Sequence, residues 1–213
     1  MNQTKGMLIT FEGNDGAGKT TALESVAAIL KEKGYPIVVS REPGGSVLAE
    51  KIRELILDVN NEMDAKTEAY LYAASRREHL VQTILPALQE GKLILCDRYL
   101  DSSLAYQGHG RKLGQKEIEQ LNDFGLEGFR PDYTLFFSLD LETEKERMEM
   151  RGEMNRLDLE SREFHQRVRD GFTCLCQQNP QRIHVIDASQ TKEEVAQATL
   201  ARVEELWKGR FHD

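Results

Sequence analysis

The 213-residue chain predicts a parallel α/β fold, and three observations lead there. Strand-sized apolar runs alternate with helix-period segments from end to end, the signature of strands joined by right-handed helical crossovers. The runs are nearly continuous in apolar character, as in strands covered on both faces. A phosphate-binding loop, Gly13-Asn14-Asp15-Gly16-Ala17-Gly18-Lys19-Thr20, joins the first run to the first helical segment. Such a loop needs a strand before it and a helix behind it.

In chain order, strands are predicted at Met7–Glu12, Pro36–Ser40, Lys92–Asp97, Tyr133–Leu139 and Ile183–Asp187. Helical periodicity marks Lys19–Lys33, where Leu23, Val26, Ala27 and Leu30 share a face, then Val47–Asp58, Lys66–Glu90, Gln115–Glu127, Glu142–Met150, Ser161–Gln177 and Lys192–Lys208. Gly34 and Gly91 stand where helices must stop to feed the next strand. No repeat, low-complexity tract or linker divides the chain, which reads as a single domain over residues 1–213.

The chemistry starts at the phosphate loop. Its glycines let backbone N–H groups curl around phosphate oxyanions, Lys19 reaches the β and γ groups, and the Thr20 hydroxyl suits Mg²⁺. The helix behind adds its positive end. The run Leu93-Ile-Leu-Cys96 delivers Asp97 to a strand's C-terminal edge, where open α/β sheets bind ligands. Asp97 fits either a metal-orienting carboxylate paired with Thr20 or a strand-end turn former. Arg98 follows, as a bidentate phosphate clamp or as an ion-pair partner of Asp97 or Asp101.

Ser40-Arg-Glu-Pro-Gly-Gly45 projects Arg41 and Glu42 from the end of the second strand, into a site or into a solvated turn. Tyr72 and Arg76, four apart on a helix, share a face; they can stack on and bond to a base, or be a core tyrosine beside a surface arginine. Arg147, Arg151 and Arg156 suit the spread charge of a transferring phosphoryl group. The flanking Glu144, Glu146, Glu149 and Glu153 equally suit a salt-bridged face.

Bulk properties remove other classes. A formal net charge of −8 offers no long-range attraction to nucleic acid. No segment is apolar over a membrane-spanning length, and Met1-Asn-Gln-Thr-Lys-Gly6 lacks a signal-peptide core. Cys96, Cys174 and Cys176 form no disulfide framework, and with the missing signal they point to a cytoplasmic protein. His79, His109, His165 and His184 show no metal-ligand spacing, and there is no serine-hydrolase elbow.

Taken together, Phe11-Glu-Gly-x-Asp-Gly-x-Gly-Lys-Thr-Thr21, Arg41-Glu-Pro-Gly-Gly45, Ala73-Ala-Ser-Arg76 and Asp97-Arg-Tyr99 through Ala105-Tyr-Gln-Gly108 resemble the thymidylate kinase family. The resemblance runs from about Met7 to Ser189. It implies a P-loop NTPase fold with a parallel five-stranded sheet flanked by helices, similar to nucleoside monophosphate kinases, with a lid at about residues 147–158. It implies phosphoryl transfer from ATP to dTMP, with Mg²⁺ as cofactor and a homodimer as assembly.

Carried over residue by residue, the resemblance assigns the ATP phosphates to Gly13 through Thr21, with Arg147 beside them, and the metal to Thr20 and Asp97. Asp15 would accept a hydrogen bond from the sugar 3′-OH, and Arg98 would hold the monophosphate, bordered by Glu42, Arg53 and Arg41. Tyr72, where phenylalanine is more familiar, would stack on thymine while Arg76 bonds its carbonyl. Ser103 and Gln107 would reach the base edge, and Tyr106 would crowd a ribose 2′-OH. Asp187-Ala-Ser189 resembles the adenine-side loop. The phosphate loop has no arginine, so the bacterial type is implied, with Arg151 and Arg156 as catalytic lid arginines alongside Lys19, Arg98 and Asp15. Rival readings are a kinase for another nucleotide or nucleoside, and a regulatory P-loop NTPase.

Overall fold

The computed structural model describes residues 5–140, 142–144, 146–147 and 155–210. Its five strands, β1 (Met7–Glu12), β2 (Ile37–Arg41), β3 (Leu93–Asp97), β4 (Tyr133–Ser138) and β5 (Ile183–Asp187), form one parallel sheet in the order β2-β3-β1-β4-β5. The α/β expectation and all five strand positions hold. The connection leaving β1 crosses the sheet toward β2 and that leaving its neighbour β3 crosses the opposite way toward β4, so the crevice at the C-terminal ends of β1 and β3 is the natural ligand site of such a sheet.

Around it run α1 (Lys19–Glu32), α2 (Val47–Leu57), α3 (Ala65–His79), α4 (Leu85–Gln89), α5 (Leu100–Ser103), α6 (Gln115–Leu126), α7 (Arg162–Gln178) and α8 (Lys192–Arg210). Side-chain oxygens begin four of them, α8 through Thr191 Oγ1, which accepts from Glu194 N. Ser46 caps α2 through Ala49 N, Asp64 caps α3 through Lys66 and Thr67 N, and Ser161 caps α7 through Phe164 N. Each cap satisfies an N–H that the first turn leaves unpaired.

Alternate residues of the central strands feed two cores. Leu8, Ile94 and Cys96 pack with Leu80, Tyr106, Phe164 and Phe172 on one face. Met7, Ile9, Phe11, Leu93 and Leu95 pack with Leu23, Val26 and Phe137 on the other. The expectation that every strand is covered on both faces is corrected at the edges. In β2 and β5, Val39 and Val185 are more than half exposed, because an edge strand has a neighbour on one side and incomplete helical cover.

Two segments depart from simple periodicity. The expected helix over Lys66–Glu90 contains a π turn at Leu80–Ile84 before α4, where Leu85 N bonds Leu80 O. Pro86 lacks an N–H and its ring would strike the carbonyl one turn back, so the wider turn accommodates it. The stretch after Tyr99, left without an element by its serines and glycines, forms α5 and a second π turn at Leu104–Gly110. Burial against α7 and the sheet overrides weak helix propensity there.

Asp101 anchors α5 onto the sheet. Its carboxylate receives Thr134 Oγ1 at 2.8 Å, Arg182 Nη1 at 2.7 Å and Arg182 Nη2 at 2.8 Å. Removing the arginine strands a carboxylate that is 2% exposed. Arg182→Ala is therefore expected to lower unfolding free energy by about 3–5 kcal/mol, read from urea denaturation. A loss below about 1 kcal/mol, the worth of a surface pair, would show that Asp101 is not dependent on this partner.

Candidate active site

Backbone geometry builds the phosphate loop. Gly13 has φ +144°, and a Cβ there would lie 2.7 Å from Phe137 O, so the chain passes β4 too closely for any side chain. Gly18, at φ +82°, starts α1 without a side-chain cap, leaving the first N–H groups of the helix directed at the loop. Lys19 folds back over this concavity, its Nζ donating to Asn14 O at 2.6 Å. Burial, then the neighbouring Arg98, depresses its ammonium to about 8.

This depression gives a testable pH dependence. In the free enzyme Lys19 loses its proton as pH rises through about 8, and an uncharged amine attracts polyphosphate weakly. kcat/KM for ATP, which reports free-enzyme ionisations, is expected to decline above that pH, whereas kcat declines at higher pH because bound phosphates retain the proton. A kcat/KM profile flat to pH 10 would overturn this assignment; that range is about two units past the depressed value.

β1 and β3 are in register at Phe11 and Asp97, which sets Asp97 beside the loop. Thr20 Oγ1 donates to Asp97 Oδ2 at 2.5 Å. Arg98 then takes φ +66°, a left-handed conformation that costs a non-glycine residue about 1 kcal/mol. The turn is secured on both sides. Arg98 N bonds Phe11 O, and Glu12 accepts from Tyr99 N at 2.7 Å and from the Ser102 hydroxyl. Burial, then Asp101, pushes the Glu12 carboxyl up to about 7.

The turn aims Arg98 across the site. Its guanidinium donates to Gly13 O at 2.9 Å, Ser102 Oγ at 3.0 Å, Asp15 Oδ1 at 2.7 Å and Tyr106 OH at 3.3 Å, and lies over the Tyr106 ring. Arg98 thus pairs with Asp15, and the alternative pairing with Asp97 or Asp101 is corrected. Burial raises the Asp15 carboxyl, but Arg98 and Lys19 outweigh it and hold the group well below the usual range. Tyr106 OH gives Asp15 a further bond at 2.9 Å.

Opposite the phosphate loop, Glu42 is buried rather than solvated. It accepts from Arg76 Nε at 2.7 Å and contacts His79 Nδ1 at 2.9 Å, whose Nε2 meets Ser40 Oγ at 2.6 Å. Arg76 is buried too, with Asn122 Oδ1, Tyr99 O and Ser103 Oγ as its other acceptors. The surface-arginine reading of this residue is corrected. Arg53 donates to Pro43 O at 2.8 Å, and exposed Arg41 pairs with Glu50.

One cleft of about 840 Å³, including its open mouth, joins these groups. Its lining brings Asp15, Lys19 and Thr20 together with Asp97, Arg98 and Tyr106 and with Arg41, Glu42, Arg53, Tyr72, Arg76 and Gln107. Ser103 lies behind Arg76, and Ser102 takes its place in the wall. Thr21 is exposed on the first turn of α1, Ala17 is buried, and Gly16 completes the loop with φ +83°. Asn14 Nδ2 donates to Glu144 Oε2 at 2.9 Å, so Glu144 serves the loop.

Of the arginines in the segment expected to form a lid, Arg147 approaches Ala188 O at 3.4 Å, beside Gly18. Arg156 is turned away from the cleft, donating to Ile56 O at 3.0 Å and Glu68 Oε2 at 2.6 Å. Arg151 lies outside the described residues, as do 148–150 and 152–154.

Three participants escaped the sequence reading. Glu12 was a charged residue ending a buried strand, Ser102 sat among hydroxyls with no distinguishing pattern, and Glu68 lay one turn before Tyr72. The four-residue spacing linking Tyr72 to Arg76 extends back to Glu68 and could have found it.

A parallel sheet with this strand order, a phosphate loop after its first strand and the pair Asp97 and Arg98 at the end of its neighbour define a P-loop nucleoside monophosphate kinase fold. The thymidylate kinase family model matches residues 11–199. Thymidylate kinases of Bacillus velezensis and Enterococcus faecalis are each 50% identical to this chain, over 95% and 97% of it and 97% and 100% of their own lengths. A crystal structure of thymidylate kinase from Ehrlichia chaffeensis superposes with TM-score 0.75 at 36% identity, covering 93% of this chain and 98% of that one. The chain belongs to the thymidylate kinase family.

Proposed function

We propose that this protein transfers the γ-phosphoryl group of ATP to dTMP, giving dTDP and ADP. The observation that carries the reading is one cleft that brings together the phosphate loop with Lys19, the Arg98 guanidinium and the Tyr72–Arg76 wall. ATP would seat its phosphates on Gly13 through Thr21, with Arg147 and Ala188 toward its adenine side. dTMP would lie with its phosphate at Arg98, Arg53 and Glu42, its sugar at Asp15 and Tyr106, and its base against Tyr72, Arg76 and Gln107.

The chemistry asks little covalent work of the protein. A monophosphate oxygen is already a nucleophile, so alignment and charge neutralisation dominate. Lys19 and Arg98 supply fixed positive charge, while Asp15 orients Arg98. The segment at about 147–158 would act as the lid, excluding water that would otherwise hydrolyse ATP. Arg151 and Arg156 would meet the transferring group on closure, Arg156 leaving Glu68 to do so.

Thr20 and Asp97 fit Mg²⁺. One carboxylate and one hydroxyl, with no cluster of three ligating side chains among the described residues, match an ion that retains water and leans on substrate phosphates. When bound, that ion neutralises charge on the β and γ oxygens.

The assembly would be a homodimer. Support comes from large apolar side chains left exposed on α2, α3 and α6: Leu48, Leu55, Tyr70 and Phe124. No described helix is long and apolar enough to cross a membrane, and the free cysteines and nucleotide substrates suit the cytoplasm. Nucleic acid is not a proposed partner.

ADP formation followed with dTMP, dUMP, dCMP, dGMP and AMP as acceptors tests the reading. dTMP is expected to give the highest kcat/KM. An ATP consumption rate indifferent to every acceptor would favour the regulatory NTPase instead, and a preference for another nucleotide would reassign the acceptor site.

A further inference from the structure

Glu68 lies behind the acceptor end of the cleft, 0% exposed, and no role in the transfer so far explains it. Its carboxylate accepts from Arg111 Nη2 at 2.9 Å, Arg156 Nη2 at 2.6 Å and Gln107 Nε2 at 2.8 Å. Arg111 also reaches Glu160 at 2.6 Å and lies over the Phe164 ring. The arginines keep Glu68 ionised. Burial raises its carboxyl, but the bonds from Arg111 and Gln107 prevail and hold it below the ordinary value.

An ionised carboxylate only accepts hydrogen bonds, so it can be satisfied by one end of a neighbouring amide alone, the NH₂ end. That requirement settles the otherwise ambiguous flip of Gln107. With Nε2 committed to Glu68, the side chain retains its carbonyl oxygen, which receives no hydrogen bond from any described residue, at a position on the cleft wall.

We propose that Glu68 is a specificity-determining positioning residue: by holding the NH₂ of Gln107 it makes the cleft present a hydrogen-bond acceptor to the incoming base. This rests on the acceptor reading above, with the base against Tyr72 and Gln107. Thymine and uracil carry N3–H, a donor that matches this oxygen, and carbonyls that match donors such as Arg76. Cytosine offers an acceptor at N3 and an amino group at C4, so both positions are mismatched. The amide alone could serve either base by turning over; the buried charge behind it prevents the turn. Rejecting a mismatch this way is effective because the site's own polar groups would be left unpaired.

The test compares kcat/KM for dTMP, dUMP and dCMP in parent, Glu68→Gln, Glu68→Asp and Gln107→Leu proteins, with thermal melting to confirm folding. In Glu68→Gln the new amide can accept or donate, Gln107 is free to turn, and the dTMP-to-dCMP ratio is expected to fall by at least about tenfold. The dTMP-to-dUMP ratio should stay within about twofold, because the two bases share the same edge and differ by a methyl group. Glu68→Asp, still acceptor-only, should retain most of the discrimination.

Gln107→Leu leaves both arginines on Glu68 and should lose the same discrimination, so the proposal stays testable if Glu68→Gln is unfolded. Unchanged dTMP-to-dCMP selectivity in either folded variant, or parallel loss of the dTMP-to-dUMP ratio, would overturn it. A parent that makes no ADP in response to dTMP would instead sink the acceptor reading on which it stands.

Discussion

Lys19→Ala is expected to lower kcat by about 10³-fold, the upper end of what one preorganised donor contributes at a developing anion. The expectation rests on where the ammonium sits. It is 6% exposed, held over the loop by Asn14 O, and surrounded by Arg98, Asp15 and Asp97. In such a water-poor pocket a fixed charge acts through a low effective dielectric. The same burial makes Lys19 costly to the fold. Its folded pKa, about 8, lies below the ordinary 10.5, so the unfolded chain binds more protons between those values, and stability from this group rises with pH across that window. Lys19→Ala should consequently melt no lower than the parent while losing turnover. Steady-state kinetics beside a melting curve at pH 7.5 decide the matter, and a variant retaining more than a tenth of parental kcat would remove Lys19 from the transfer step.

Arg98→Ala should cut kcat/KM for dTMP by about 10²–10³-fold, corresponding to about 3–4 kcal/mol, within the range for truncating one member of a buried, hydrogen-bonded charge pair. Two losses combine. The acceptor phosphate loses its forked donor, and Asp15, 18% exposed at the side chain, keeps a negative charge with Arg98 gone. KM for ATP should change less, since Lys19 and the loop backbone hold that ligand. Arg98→Lys should rescue little, because one ammonium cannot span Gly13 O, Ser102 and Asp15 as the guanidinium does. If kcat/KM for dTMP in Arg98→Ala stays within fivefold of the parent, the acceptor phosphate is held elsewhere.

The two variants differ in kind. Lys19 acts on charge at the transferring group and should appear in kcat; Arg98 also acts on an acceptor that must first be bound. Their separation on the kinetic parameters is a stronger check of the proposed cleft than either loss alone.

Much of the frame was legible along the chain. The phosphate loop was visible because it is local: every group that wraps an anion between Gly13 and Thr20 lies within eight consecutive residues. Asp97 was legible as a candidate only beside the phosphate loop, since a carboxylate ending the apolar run Leu93–Cys96 serves a strand-end turn equally well. Arg76 was legible as a candidate through its spacing from Tyr72, but not its burial, since its acceptors come from β2's loop, the turn after β3, α5 and α6. The segment after Tyr99 was unreadable as a helix, because its serines and glycines favour turns until the sheet and α7 cover them.

The chain by itself determined the alternation of strand and helix and the phosphate loop, because periodicity and backbone permissiveness are properties of neighbouring residues. Which partners the charged side chains take was decided by tertiary structure alone. Arg98 met Asp15, Glu42 met Arg76 and His79, and Arg156 and Gln107 converged on Glu68, pairings that span 34 to 88 positions. A buried charge must find a counter-charge or hydrogen bond wherever the fold supplies one, and that supply depends on strand order and helix docking, which no local pattern encodes.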